Sequence, residues 1–307
     1  MTISSTAIAQ PAEINSDPVL PPGLIGVSAG TGSFLAVAEA RADAPGYTFY
    51  RPQVLPKEKL PLVLWGNGGC RDNGLSASHF LREVASHGYF VIANGAPRKE
   101  KPVVAQVDAP ASGEPPPRRP TPDETQVSQL LGGIAWAERA TTMSANEYYN
   151  HIDTTRIAVM GHSCGGLQAL AAGADPRISA VVVFNSGVYI RDGNGLSGVH
   201  ITKDDLKKIH TPVAYVLGGP TDIAYANGMD DVARISHVPV FAANLAVGHG
   251  GTFQLENGGD WARLGVAWLD WQLKKDAKAA RWFVGKDCGL CTNADWKITR
   301  KQFPETP

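Results

Sequence analysis

The chain has 307 residues, 43% of them hydrophobic, with a formal net charge of -1. That is enough apolar material for a substantial core and argues against disorder throughout. A near-zero charge argues against a nucleic-acid binder that relies on phosphate attraction, and the short Lys57-Glu58-Lys59 and Lys274-Lys275 runs read as solvated surface. No apolar stretch is long enough to cross a bilayer, so no membrane span is expected.

Residues 1–32 are rich in Pro, Ser, Ala and Gly and read as an irregular lead-in without an h-region. They contain a G-x-S-x-G string, Gly26-Val27-Ser28-Ala29-Gly30, which no strong apolar run precedes, so it reads as loop. Segments 34–40 and 47–51 are short strands, a candidate hairpin. Leu60-Pro61-Leu62-Val63-Leu64-Trp65 is a compact apolar strand that stops at Gly66-Asn67-Gly68-Gly69. A helix follows, with Ser76 or Ser78 as its cap and Phe80, Leu81, Val84 and Ala85 as its apolar stripe. Segment 89–93 is the next strand.

Residues 95–122 form a long polar excursion, too proline-rich at Pro115-Pro116-Pro117 for regular structure, and read as a surface loop beside or over the cleft. Asp123 then caps a helix to about Arg139. The alternation continues with a strand at 156–160, a helix at 164–173, a strand at 180–184, a short helix at 203–208, a strand at 213–217 and a loop plus helix at 221–234. A strand at 240–245 and a helix at 260–274 complete it. Continuous apolar strands separated by helices specify a mostly parallel sheet covered on both faces. The expected organisation is a lead-in (1–32), one α/β catalytic domain (33–275) and a tail (276–307) that packs on it through Trp282 and Trp296.

The most informative segment is Gly161-His162-Ser163-Cys164-Gly165-Gly166. It lies between the apolar run at 156–160 and the helix-like run at 167–172. Strand, tight serine turn and helix are the setting of a nucleophile elbow. A serine hydroxyl is a poor nucleophile and needs a base, an acid that orients the base, and donors for the developing oxyanion. Asp222 lies just beyond the strand at 213–217, where loops at the carboxyl ends of parallel strands carry active sites. Asp204 and Asp205 look like helix-start caps, and Asp230 and Asp231 fall within a helix. His249, flanked by Gly248 and Gly250 after the strand at 240–245, is the expected base. The other histidines read as solvated or structural, His162 included, since it lies on the elbow itself. The oxyanion donors are expected at the amide of Cys164 and at that of Gly69 or Cys70; the alternative is a glycine-rich turn without chemistry. The Cys164 thiol reads as a small buried packing group.

In these residues the chain resembles the α/β-hydrolases across about 33–275. Gly161-His162-Ser163-Cys164-Gly165, Asp222 and His249 fall where that family's nucleophile, acid and base fall. The loop Trp65-Gly66-Asn67-Gly68-Gly69 makes it similar to the cutinase-like, polyester-hydrolase and dienelactone-hydrolase-like branch, although serine stands where true dienelactone hydrolases have cysteine and Cys164 where bacterial polyester hydrolases usually have methionine. The resemblance implies an α/β-hydrolase fold with a minimal lid and a serine esterase acting on small or polymeric carboxylic esters, short-acyl and aromatic ones among them, with no metal or organic cofactor. An amidase or acyltransferase using the same triad is an alternative, as is a noncatalytic ligand-binding protein that retains the fold. Asn67, Leu75, Tyr189, Ile223 and Tyr225 are candidate pocket residues, each equally a rim or packing residue. Trp136, Trp261, Trp268 and Trp271 fall in helical segments and read as packing groups rather than a polymer-binding face.

Cys288 and Cys291 lie in a turn-like segment and read as a local disulfide, with free thiols, metal or redox roles as alternatives. Cysteine usage favours a secreted protein whose leader is absent from this chain over a cytoplasmic one. The oligomeric state has no signature in the sequence.

Overall fold

The computed structural model describes residues 25–98, 124–190 and 198–303. Most of the expected lead-in, most of the proline-rich excursion and the expected cap Asp123 lie outside these residues. Among the described residues there are nine strands, β1 (Ala36–Ala40), β2 (Tyr47–Pro52), β3 (Leu60–Gly66), β4 (Phe90–Asn94), β5 (Ile152–His162), β6 (Ile178–Phe184), β7 (Val213–Leu217), β8 (Val240–Asn244) and β9 (Lys297–Lys301). They form one sheet in the order β1-β2-β4-β3-β5-β6-β7-β8-β9. The six strands from β4 to β8 in that order are parallel. The hairpin β1–β2 and strand β9 are antiparallel at the two ends. The architecture is α/β, a mostly parallel sheet with helices on both faces.

The helices are α1 (Ser78–Ser86), α2 (Val127–Thr142), α3 (Cys164–Ala172), α4 (Tyr225–Arg234), α5 (Gly259–Lys274) and the single turn α6 (Ala277–Ala280). Every residue of β3 is buried, as a central parallel strand covered on both faces requires. Its side chains alternate between two cores. Val63 and Trp65 join Phe80 and Leu81 of α1 and Leu264 and Trp268 of α5. Leu62 and Leu64 join Ile134 of α2 and Leu170 of α3.

Three boundaries differ from expectation. Helix α1 starts at Ser78 after Ala77, with no side-chain cap, because the Ser76 hydroxyl donates to Asn67 Oδ1 instead (3.2 Å). Helix α2 starts after an extended Gln126, also without a side-chain cap, and runs on to Thr142. The segment beyond residue 276 adds β9 to the sheet by pairing with β8. The helical tryptophans expected to pack do so: Trp261 and Trp268 are fully buried, and Trp268 meets Trp271 edge to face at 5.3 Å. Of the two tail tryptophans, Trp296 packs beside Trp261 at 5.8 Å, whereas Trp282 is 37% exposed and does not serve as the expected packing group. The expected local disulfide Cys288–Cys291 is present. Among the described residues, no helix is long and apolar enough to cross a membrane.

Candidate active site

Strand β5 delivers Ser163 to a sharp turn ahead of α3. Ser163 has φ +52° and ψ -119°, a conformation that costs a non-glycine residue free energy and concentrates at functional sites. The turn is tied down from three sides. The Ser163 N–H donates to the Phe184 carbonyl (3.0 Å), the Ser163 carbonyl accepts from the Gly166 N–H (2.9 Å), and it accepts also from the Ser186 hydroxyl (2.7 Å). The turn is possible only because glycines flank it. A Cβ at Gly161 would stand 2.1 Å from the Gly165 carbonyl oxygen, and one at Gly165 would stand 2.0 Å from that of Gly66.

Asp222 follows β7, and His249 follows β8. Their loops dock directly, for the Gly248 N–H donates to the Gly218 carbonyl (2.8 Å) and a Cβ at Gly218 would lie 1.9 Å from the Gly248 oxygen. The three side chains then align. His249 Nδ1–H donates to Asp222 Oδ1 at 2.6 Å, and His249 Nε2 accepts the Ser163 hydroxyl at 3.0 Å. The Asp222 carboxylate is fully buried. Burial works against its charge, but the His249 imidazole and the amides of Ala224 and Gly218 outweigh it and hold the carboxyl below its ordinary value. A buried, ionised acid fixes the imidazole tautomer that leaves Nε2 free to act as a base.

Sequence reasoning missed Asn185. It follows β6 with φ +46°. Its Nδ2 donates both to Asp222 Oδ2 (2.9 Å) and to the Gly248 carbonyl (2.9 Å), while its Oδ1 accepts the Trp261 indole N–H (2.7 Å). One buried amide thus ties the acid to the loop that bears the histidine. The only sequence signal is its position at the carboxyl end of a parallel strand.

Ser163 and His249 open on a shallow cleft of about 60 Å³. Leu167, Tyr189 and Ile223 line it, and Ile223 is 80% exposed. Three other expected lining residues do not reach it. Asn67 is fully buried; it accepts the Trp65 indole N–H (2.9 Å) and donates to the Arg71 carbonyl (3.1 Å) and the Asn94 carbonyl, so its polar atoms hold the loop after β3 together. Leu75 belongs to the core under α1. Tyr225 opens α4 and packs against the opposite core.

The expected amide donors also sort themselves. The Cys70 N–H is already used by the Asn67 carbonyl (3.1 Å), which closes a tight turn through Gly68 and a left-handed Gly69. Cys164 is the first residue of α3, where an amide has no partner within the helix. Its sulfur is no simple packing group: it is bonded to Cys70, 94 residues away, with 5.2 Å between the Cα atoms. Sequence alone does not disclose which cysteines pair. Among the described residues, no group of three or more His, Cys, Asp or Glu side chains is arranged to hold a metal ion.

No family model matches the chain. Hydrolase ffsE of Aspergillus flavipes is 32% identical to it over 145 residues, which cover 44% of this chain and 28% of that protein. The chain therefore matches less than a third of that relative's length.

Proposed function

We propose that this chain is a serine hydrolase of the α/β-hydrolase fold that cleaves carboxylic esters through an acyl-enzyme. The observation that carries the reading is the continuous hydrogen-bonded series from the Ser163 hydroxyl through His249 to the buried Asp222. The strained serine turn, the order of strands and the similarity to a protein named a hydrolase are consistent with it.

In this mechanism Ser163 Oγ attacks the ester carbonyl while His249 Nε2 takes its proton, and Asp222 stabilises the imidazolium. The amide of Cys164 and that of Gly69 hold the oxyanion of the tetrahedral intermediate. The imidazolium then protonates the leaving alcohol. A water molecule, deprotonated by His249, attacks the acyl group and releases Ser163. Of the two loop amides considered after β3, Gly69 is assigned because that of Cys70 is engaged. Ester is preferred to amide because an alcohol leaves the tetrahedral intermediate more readily than an amine and so asks less of the cleft, which is small and open among the described residues.

The test is intact mass and peptide mapping after treatment with a fluorophosphonate, whose phosphorus is attacked by an activated serine with loss of fluoride. One adduct on Ser163 is expected, absent in Ser163→Ala and slowed at least about 10³-fold in His249→Ala. Matched p-nitrophenyl ester and p-nitroanilide substrates should show turnover of the ester above that of the anilide. An adduct at another residue, or none on folded protein, would overturn the assignment.

A further inference from the structure

The two segments assigned to the oxyanion hole belong to distant parts of the chain and meet largely through their glycines. Gly66 and Gly165 meet face to face: a Cβ on Gly165 would stand 2.0 Å from the Gly66 oxygen, and one on Gly66 would stand 2.7 Å from the Gly165 oxygen. Gly68 meets the His162 ring just as closely, at 2.5 Å for the same construction. Strand pairing holds the two segments in register up to Gly66 opposite Gly161; beyond that pair, glycine against glycine gives the close approach the elbow needs but, the His162 ring apart, supplies little side-chain interlock to fix the loop on the elbow. The loop is also conformationally expensive, since Gly69 and Cys70 are both left-handed, at φ +64° and +49°. The second of these is not a glycine, so its surroundings must hold it there.

The Cys70–Cys164 disulfide crosses this interface. Cys164 is the residue after the nucleophile, and Cys70 is the residue after Gly69. Both are buried, at 2% and 0% exposure. Cys70 is fixed from its other side as well, where its carbonyl accepts the Thr125 N–H (2.7 Å) and hydroxyl (3.1 Å), and where Gly198 packs so closely that a Cβ there would reach the sulfur at 2.7 Å.

We propose that this disulfide registers the loop after β3 on the nucleophile elbow, making the Cys70 and Cys164 side chains positioning groups that set the separation of the two oxyanion-binding amides. The inference rests on the acyl-transfer reading given above. It differs from a purely stabilising role, which a cross-link of this span would also have. Binding of the flat ground-state ester depends little on the amide spacing, whereas the tetrahedral oxyanion depends on it strongly. Losing the cross-link should therefore lower kcat and leave KM nearly unchanged.

The experiment compares the wild type, the Cys70→Ala/Cys164→Ala double variant and, as the disulfide-loss control, Cys288→Ala/Cys291→Ala. All are assayed on a p-nitrophenyl ester well below their melting temperatures. In the first double variant kcat should fall by about 10²-fold with KM within about threefold, the magnitude of losing one oxyanion donor. Affinity for an alkyl boronic acid, which forms a tetrahedral adduct on the serine, should fall in parallel. The control should keep its kcat. A folded Cys70→Ala/Cys164→Ala protein with the kcat and boronate affinity of the wild type would overturn the proposal, as would a rise in KM alone.

Should that variant not fold, the control protein carries only the disulfide in question and is reduced by dithiothreitol in sub-denaturing urea. The S–S bond opens to two thiols and the dithiol becomes its cyclic disulfide. The expected result is a loss of kcat that reverses when the dithiothreitol is removed and the thiols are reoxidised; reduced protein with undiminished kcat would overturn the proposal. If the wild type itself neither turns over esters nor reacts with the fluorophosphonate, the acyl-transfer reading fails before the question of the disulfide arises.

Discussion

His162 stands next to the nucleophile and is given no step in the proposed chemistry, yet it is the titrating group with the clearest consequence for stability. Its Nε2–H donates to the His249 carbonyl at 2.9 Å, and its ring lies 4.9 Å from that of Phe253 and 5.2 Å from that of His249. Burial pushes the imidazole down to about 4; the carbonyl it serves opposes this, and a charge on His249 adds to it. The unfolded chain, near the ordinary value of about 6.5, therefore binds the proton more readily than the native state. The neutral ring's contribution is complete above that value and is lost as pH falls toward 4. Asp231 works the other way. Burial lifts its carboxyl to about 6 against the pull of Lys203, so protonation in the window below 6 favours the native state. Asp222, held below its ordinary value, contributes above about 3.8 and loses that contribution only in stronger acid. A difference measurement isolates His162. His162→Gln keeps a donor for the carbonyl and removes the titration. Urea melts between pH 7 and pH 4.5 should show the stability gap between wild type and variant moving against the wild type by on the order of 2 kcal/mol, allowing for the ring's residual solvent contact. Parallel stability curves would show that another group titrates in this window.

At the scale of the element, the junction β5–Ser163–α3 depends on backbone contact that one methyl group would break. In Gly165→Ala the new Cβ would overlap the Gly66 carbonyl, and neither backbone can yield without moving β3 or the elbow. Calorimetry should find a destabilisation of about 3 kcal/mol or more, at the upper end for overpacking, and fluorophosphonate labelling of Ser163 should fall with it. A variant as stable and reactive as the wild type would show that the two segments are not in contact. This junction was legible in the sequence because its signals are local. An apolar run, a glycine-flanked serine and a helical run are contiguous, and Asp222 and His249 each follow a strand with its own apolar signature. What was hidden depends on segments meeting in space. Asn185 looks like any turn asparagine until Asp222, Gly248 and Trp261 converge on its amide. Asn67 and Leu75 read as candidate pocket residues, equally rim or packing ones, because their loop follows a strand at the active end of the sheet; the chain turns inward there and buries both, which decides for packing. The Cys70–Cys164 pairing spans 94 residues and carries no spacing signal. Strand β9, Lys-Ile-Thr-Arg-Lys, has one aliphatic residue in five and none of the alternation that marks a half-buried strand.

That last strand decides how far the folded unit extends. β9 pairs with β8 along its whole length, from Val240 opposite Lys301 to Asn244 opposite Lys297. Lys301 reaches back onto the body, where its Nζ donates to the Val232 and Ala233 carbonyls (2.9 and 2.8 Å), while Arg300 braces the tail internally by donating to the Phe283 and Gly285 carbonyls (3.0 and 2.7 Å). Between α5 and β9, the tail sets Phe283, Val284 and Leu290 into the same core as Trp268 and Phe241. Burying three such side chains is worth roughly 5–9 kcal/mol, comparable to the whole net stability of about 5–15 kcal/mol expected for a domain. Removing the tail would also leave β8, a fully buried apolar strand, with a bare hydrogen-bonding edge, the arrangement that templates aggregation. A chain ended after Lys274 should therefore be found in the insoluble fraction or in the void volume on size exclusion, while Phe283→Ala in the full chain should stay folded and lose about 3–5 kcal/mol. A truncated protein that remains monomeric and melts with the wild type would place the end of the cooperative unit at α5 and make the last strand a dispensable addition to the sheet.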